Sequence, residues 1–330
     1  MPTWKPAPRL SLRLLSDAQH RLAALQIFPL DAAGVEPSSY PHLAAVCALL
    51  PCLIEPHDAQ RLAPPALDAL LASGCAVARA GAIGILDTSG APPQPPGASY
   101  LGGNWYLQPP STPSAHQTGS RALALKLAQM IASDAETREI EEVFRHEPTL
   151  AYSLLRLVNS AAIGNGRRID NFAQAILLLG RRQLRRWLNL ILFSSQKEDA
   201  RSAMLLARVA LRARTLEQLA KAAGYDKEAQ ERAFMVGMFS LLGVLFGMPL
   251  QAVLQPLKLD PELSQALLSR QGEIGRLLTA VEALECGDPT QALALMEAMQ
   301  AEPVDLDVLS IDAHVWMLGL ISDSADGVCG

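Results

Sequence analysis

The chain has 330 residues, half of them apolar but only 5% aromatic, and a formal net charge of −5. That length accommodates two domains and a well-buried core. A composition dominated by Ala and Leu favours packed helices over a β-sandwich, which would enrich β-branched and aromatic residues.

The N-terminus, Met1 to Leu10, carries three prolines and has no apolar core of a secretory signal. No apolar run reaches the ~18 residues of a membrane span. A cytoplasmic protein without membrane association is therefore expected. Five cysteines (Cys47, Cys52, Cys75, Cys286 and Cys329) are an odd, scattered set and argue against a disulfide framework. Cys47 and Cys52 lack both zinc-ribbon spacing and a second Cys/His pair, so they read as small buried hydrophobes.

Residues 1–110 mix short apolar runs with Pro and Gly and read as a small α/β unit. Ala66–Ser73 reads as a helix closed by Gly74, and Ala76–Leu86 and Ser99–Leu107 as short strands. His57-Asp58 sits in a Pro-flanked loop that leads into a helix, where Asp58 reads as the N-cap. The Pro- and Gly-rich stretch Ser89–Gly97 suits neither a helix nor a central strand, and it precedes a natural boundary near residue 110. The remainder, 111–330, is expected to fold alone.

From Ser120 onward the pattern is nearly continuous helix. Arg121–Ser133 and Thr137–His146 are amphipathic. The next helix begins at Pro148, carries the stripe Leu150, Leu154, Leu157 and Ala161, and ends at Gly164. Asp170 caps a helix to Gly180, and another follows through Ser194. Helices are then expected at about 200–223, 227–248, 260–270, 273–286, 289–300 and 306–321. No fixed period suggests a solenoid.

Charge is unevenly spread. Arg145–Arg214 holds thirteen Lys/Arg against four Asp/Glu, whereas 260–330 holds two Arg against thirteen Asp/Glu. This asymmetry points either to an anionic partner for the middle or to a contact between the two segments.

The segment Arg145–Ser194 resembles the HDOD family, helical bacterial output domains related to HD-type phosphohydrolases. The likeness rests on Glu147-Pro148, Leu154-Leu155-Arg156 with Val158-Asn159-Ser160, and Ala175–Leu179 running into Leu-Gly-Arg at 179–181. It covers roughly 115–310. Upstream, Gly103–Pro109 (GNWYLQP) looks like the last strand of an EAL-type domain where it joins HDOD. Leu67–Gly81 resembles an EAL helix–strand. The resemblance implies a mostly α-helical protein: an HD-like bundle (HDOD) at 111–330 behind a shortened, degenerate EAL-like α/β domain at 1–110.

The same resemblance bears on chemistry. HD phosphohydrolases hold divalent metal with a His-Asp dipeptide, and the aligned positions here are Ser240 and Leu241, which cannot replace an imidazole and a carboxylate. His116, His146 and His314 are scattered and have no paired Asp. EAL phosphodiesterases use paired carboxylates where this chain has Arg79 and Ala80. No catalytic residue, metal or cofactor is therefore expected. The remaining site is basic: Arg181, Arg182, Arg185 and Arg186 form two adjacent rows on one helix side, with Trp187 beside them and Leu184, Leu188 and Ile191 opposite. These rows suit a protein partner of a signalling pathway, a solvated face or the acidic C-terminal helices; phosphates of DNA or RNA are the alternative. The expected function is non-catalytic signal transduction by partner binding and conformational relay. A nucleic-acid-binding regulator is the first alternative, and a residual metal-dependent phosphohydrolase or cyclic di-GMP phosphodiesterase the second.

Overall fold

A computed structural model describes residues 9–32, 35, 40, 42–86, 96–108, 129–130, 200–257, 259–299 and 305–325. The helices expected between Arg121 and Ser194 fall almost wholly outside these residues.

The chain opens with a hairpin, β1 (Leu10–Ser16) against β2 (Leu22–Pro29), pairing Leu12 with Ile27 and Leu14 with Leu25. Asp17 shapes the turn, its carboxylate accepting the N–H groups of Gln19 and Arg21 at 2.9 Å each. Alternation along β1 sends Leu10, Leu12 and Leu14 into the main core and Leu15 into a small cluster with Ala24, Ala78, Ala82 and Ile83. Helix α1 (Leu43–Leu49) leads to β3 (Cys52–Ile54), which runs parallel to β2. Helices α2 (Pro56–Arg61) and α3 (Pro64–Ala72) then lead to β4 (Ala76–Val77), parallel to β3. With β5 (Ile83–Ile85) and β6 (Tyr100–Gly102) the order is β4-β3-β2-β1-β6-β5, a mixed six-stranded sheet. Its order and strand directions do not by themselves mark it as EAL-like.

Three local expectations change. Ala76–Leu86 is two strands on opposite edges of the sheet, because the chain turns at Gly81 with φ +75°. Ser99–Leu107 keeps only β6 as strand and continues into a 3-10 turn, Trp105–Leu107. Gly103 causes the switch: its φ is +95°, and a Cβ there would stand 2.2 Å from the Leu86 carbonyl oxygen. Asp58 is not an N-cap. Glu55 holds that position with Pro56 after it, and Asp58 lies in the first turn, buried and paired with Arg61 at 3.2 Å. Helix α3 and the left-handed Gly74 after it agree with the sequence reading.

The C-terminal part is helical: α4 (Ser202–Ala222), α5 (Lys227–Phe239), α6 (Leu242–Phe246), α7 (Leu250–Leu254), α8 (Pro261–Ser269), α9 (Gly272–Glu285), α10 (Pro289–Ala298) and α11 (Leu306–Ala325). Asp226, Asp260 and Asp288 cap α5, α8 and α10 with their carboxylates. The single helix expected over 227–248 is interrupted. Ser240 turns its hydroxyl back to donate to the Gly237 carbonyl at 2.7 Å, and Leu241 leaves helical geometry at φ −104°, ψ 6°. Helices α4 and α5 meet backbone to backbone, since a Cβ on Gly237 would lie 2.5 Å from the Ala213 Cα.

One buried apolar cluster runs from Leu10 through Trp105 and Tyr106 to Leu318. α11 packs on α1, β1 and α4, and α4 also packs on β2 and the 3-10 turn. Both sides of residue 110 therefore contribute to one core. Among the described residues, Lys227–Phe246 is long and apolar enough to cross a membrane. However, 78% of its apolar window is buried within the protein, as expected of a core element.

Candidate functional site

Helix α4 carries Arg208 and Arg212 one turn apart, on the same side. Arg212 is buried and reaches α9, donating from Nε to Glu285 Oε1 at 3.0 Å and from Nη2 to Oε2. Its Nη1 donates to the Ser240 hydroxyl at 2.9 Å and lies 3.6 Å from Glu282. Glu282 in turn accepts both prongs of Arg270, at 2.9 and 2.8 Å. Arg270 caps α8 in the left-handed conformation. The two glutamates stand three residues apart on α9, so one helix face receives two forked guanidinium pairs.

Arg208 extends the cluster toward the N-terminal sheet. Its Nε and Nη2 donate to the Tyr106 hydroxyl at 3.1 and 2.7 Å. On the other side lies His314 of α11, whose Nδ1 donates to the Ser310 carbonyl at 2.7 Å while Nε2 is buried. Residues of α4, α9, α11 and the 3-10 turn, with those that close α5 and α8, thus converge on one polar core.

Charge states follow from this geometry. Burial works against the Arg212 charge, but Glu285 and then Glu282 outweigh it and raise its pKa. Burial likewise opposes ionisation of Glu285, yet Arg212 and Arg208 hold its carboxyl below the usual range. Arg208 is also raised, Tyr106 and Glu285 overcoming its desolvation. Burial pushes His314 down to about 4, reinforced by Arg208, so at neutral pH it is uncharged.

The cluster occupies the position that the HDOD resemblance assigns to the metal-binding His-Asp pair. Ser240 is committed to Arg212 and Gly237, and Leu241 is an apolar core residue. A guanidinium within hydrogen-bonding distance repels a divalent cation, so these residues do not fit a metal. Among the described residues, no group of three or more His, Cys, Asp or Glu could hold one.

The other sequence candidates lie apart. Arg79 and Ala80 are exposed just past β4, where Arg79 donates to the Gly97 carbonyl at 3.2 Å. Arg181, Arg182, Arg185, Arg186 and Trp187 lie outside the described residues. Sequence reasoning missed Tyr106, Arg208, Arg212 and Glu285 as a unit. The available signal was the charge asymmetry, since Arg212 belongs to the basic stretch and Glu285 to the acidic one. A second junction was also missed. The Asp307 carboxylate on α11 accepts the backbone N–H groups of Arg9 at 3.0 Å and Leu10 at 3.2 Å, joining the two ends of the chain. Burial pushes Asp307 up to about 6 despite these donors.

Comparison with known proteins places this cluster in context. Over 161 residues the chain is 27% identical to "Uncharacterized protein YuxH" of Bacillus subtilis, covering 48% of this chain and 39% of that protein. Over 195 residues it is 26% identical to "Cyclic di-GMP phosphodiesterase CdgJ" of Vibrio cholerae, covering 58% of this chain and 44% of that protein. The chain thus spans less than half the length of these curated relatives. A solved structure from Shewanella amazonensis SB2B, named as a phosphohydrolase, aligns over 62% of this chain and 93% of its own. At 17% identity and a TM-score of 0.42, that likeness is too low to identify a shared fold. Residues 121–269 match the model of the HDOD domain.

Proposed function

We propose that this protein is a non-catalytic regulator of bacterial signal transduction that works through protein partners and conformational relay. The observation that carries this reading is the engagement of Ser240 by the buried Arg212. Where an HD hydrolase would hold metal to ionise water, this chain has a fixed cation with its own carboxylate, Glu285. An arginine supplies no metal-bound hydroxide, so the site favours structural coupling over hydrolysis.

In this reading the N-terminal unit is a shortened, degenerate EAL-like domain, with Arg79 and Ala80 standing where active members carry paired carboxylates. The likeness to a protein named as a cyclic di-GMP phosphodiesterase supports this assignment and a setting in second-messenger signalling. Tyr106 and Arg208 offer the relay, because they tie the turn after β6 to the central helix of the C-terminal part. The basic rows at Arg181, Arg182, Arg185 and Arg186 are the partner-facing surface in this scheme, in a cytoplasmic setting.

The reading is tested by incubating the full chain with cyclic di-GMP and either magnesium or manganese. Linear dinucleotide should not accumulate at any protein concentration, and retrieval of a protein partner should be lost on charge reversal of the four arginines. Turnover proportional to protein would overturn the non-catalytic assignment. Duplex DNA or RNA affinity falling steeply with salt, and flattening as these arginines are removed, would replace the protein partner by nucleic acid.

A further inference from the structure

Cys47, Cys52 and Cys75 are spread over 29 positions of sequence but meet in the fold. Cys47 lies on α1, Cys52 opens β3, and Cys75 directly precedes β4. The Cys47 and Cys75 sulfurs are 3.7 Å apart, while the Cys52 thiol donates to the Leu50 carbonyl at 3.5 Å. Gly74 makes this approach feasible. A Cβ there would come within 3.0 Å of the Cys47 Cβ, and the residue's φ is +99°. Cys47 is partly exposed, whereas Cys52 and Cys75 are buried.

We propose that Cys47 and Cys75 form a peroxide-reactive dithiol site in which Cys47 is the attacking sulfur and Cys75 resolves it. The partial exposure of Cys47 gives a small oxidant access, and the burial of Cys75 against it keeps the second sulfur within reach. The neighbouring Cys52 and Cys75 thiols draw the Cys47 thiol down, while Cys47 and burial push theirs up, so Cys47 is the first of the three to ionise.

The chemistry balances with hydrogen peroxide as oxidant. The Cys47 thiolate attacks one peroxide oxygen, the O–O bond breaks, and the departing hydroxide takes a proton to leave as water. Cys47 is then a sulfenic acid. The Cys75 sulfur attacks the Cys47 sulfur, its proton passes to the leaving hydroxide, and a second water departs as the S–S bond forms. Two electrons pass from the thiols to peroxide. The sulfurs close from 3.7 Å to a disulfide length of about 2.05 Å.

The test treats the full chain with one equivalent of hydrogen peroxide, blocks remaining thiols by alkylation, and maps tryptic peptides by fragmentation. Residues 22–61, which hold Cys47 and Cys52, should be joined to residues 62–79, which hold Cys75. Fragmentation should place the bridge at Cys47, and dithiothreitol should release it. Cys52→Ser should keep the link and Cys47→Ser should lose it. Cys75→Ser should instead leave Cys47 trappable by dimedone. Wild-type fragmentation alone decides the assignment if a variant fails to fold. Three unlinked, fully alkylatable thiols, or a bridge placed at Cys52 or at the exposed Cys286, would overturn the proposal.

Discussion

Arg212 and Glu285, 73 positions apart in sequence, form a two-pronged guanidinium–carboxylate pair inside the helical part of the protein. The pair is the pivot of polar contacts to Ser240, Glu282 and Arg270, and one turn away on α4 Arg208 holds Tyr106. Because each charge is partly desolvated, removing one leaves another without its counter-charge. Such a cluster is therefore costly to break from one side, whatever its net contribution to stability.

Breaking the pair from one side should be costly. Arg212→Met strands Glu285 and removes the donor to Ser240, so unfolding free energy should fall by about 3–5 kcal/mol in urea titrations. Adding Glu285→Gln should recover part of that loss. Equal, additive losses in the two single variants would show that the residues are not coupled. The folded Glu285 carboxyl sits below its unfolded value, so its contribution is complete above the unfolded pKa and is lost as pH falls through the folded one.

Two helix-interior glycines should respond oppositely to alanine. Gly237→Ala drives a methyl into the Ala213 backbone and should destabilise by about 1–3 kcal/mol or more. Gly319 on α11 has nothing within 4 Å of a built Cβ, so Gly319→Ala should stabilise by about 0.5–1 kcal/mol. Thermal melts of both variants check this, and shifts of the same sign would contradict the α4–α5 crossing.

Three of the C-terminal helices were legible in the sequence because an Asp cap opens an apolar stripe, at Asp226, Asp260 and Asp288. The break at Ser240–Leu241 was not. Nothing in an apolar run predicts that a serine will bond back to Gly237 while taking a donor from another helix. The first two strands escaped notice for a similar reason: Leu10–Ser16 alternates imperfectly, because Leu14 and Leu15 serve two different cores. The cysteine cluster and the Asp307 clamp depend on long-range placement, which periodicity does not carry.

Truncation should expose the shared core. A fragment of 111–330 lacks the Arg9 and Leu10 donors to Asp307, the Tyr106 contact to Arg208, and the α1 and β1 surfaces against α11. It should melt broadly and bind a hydrophobic dye, whereas the full chain melts in one transition. A sharp melt of the fragment at the full-length midpoint would instead support a boundary at residue 110.

Asp307 and His314, seven positions apart on α11, should impose opposite pH dependences in one window. The folded His314 takes a proton only near pH 4, against 6.5 when unfolded. Between those values the unfolded chain binds more protons, so stability falls as pH falls, by about 3 kcal/mol in all. The folded Asp307 takes its proton near pH 6, against 3.8 when unfolded. There the folded chain binds more protons, so stability rises on acidification, also by about 3 kcal/mol. The two nearly cancel in the natural protein, and only variants reveal them. Asp307→Asn should make the loss of stability between pH 6.5 and 4 steeper. His314→Asn should make it shallower, and the double variant should return to the natural slope. Urea unfolding of the four proteins at pH 7, 6, 5 and 4 reads these differences, since every other carboxylate contributes equally to all four. Parallel curves would mean that neither group titrates as its burial demands.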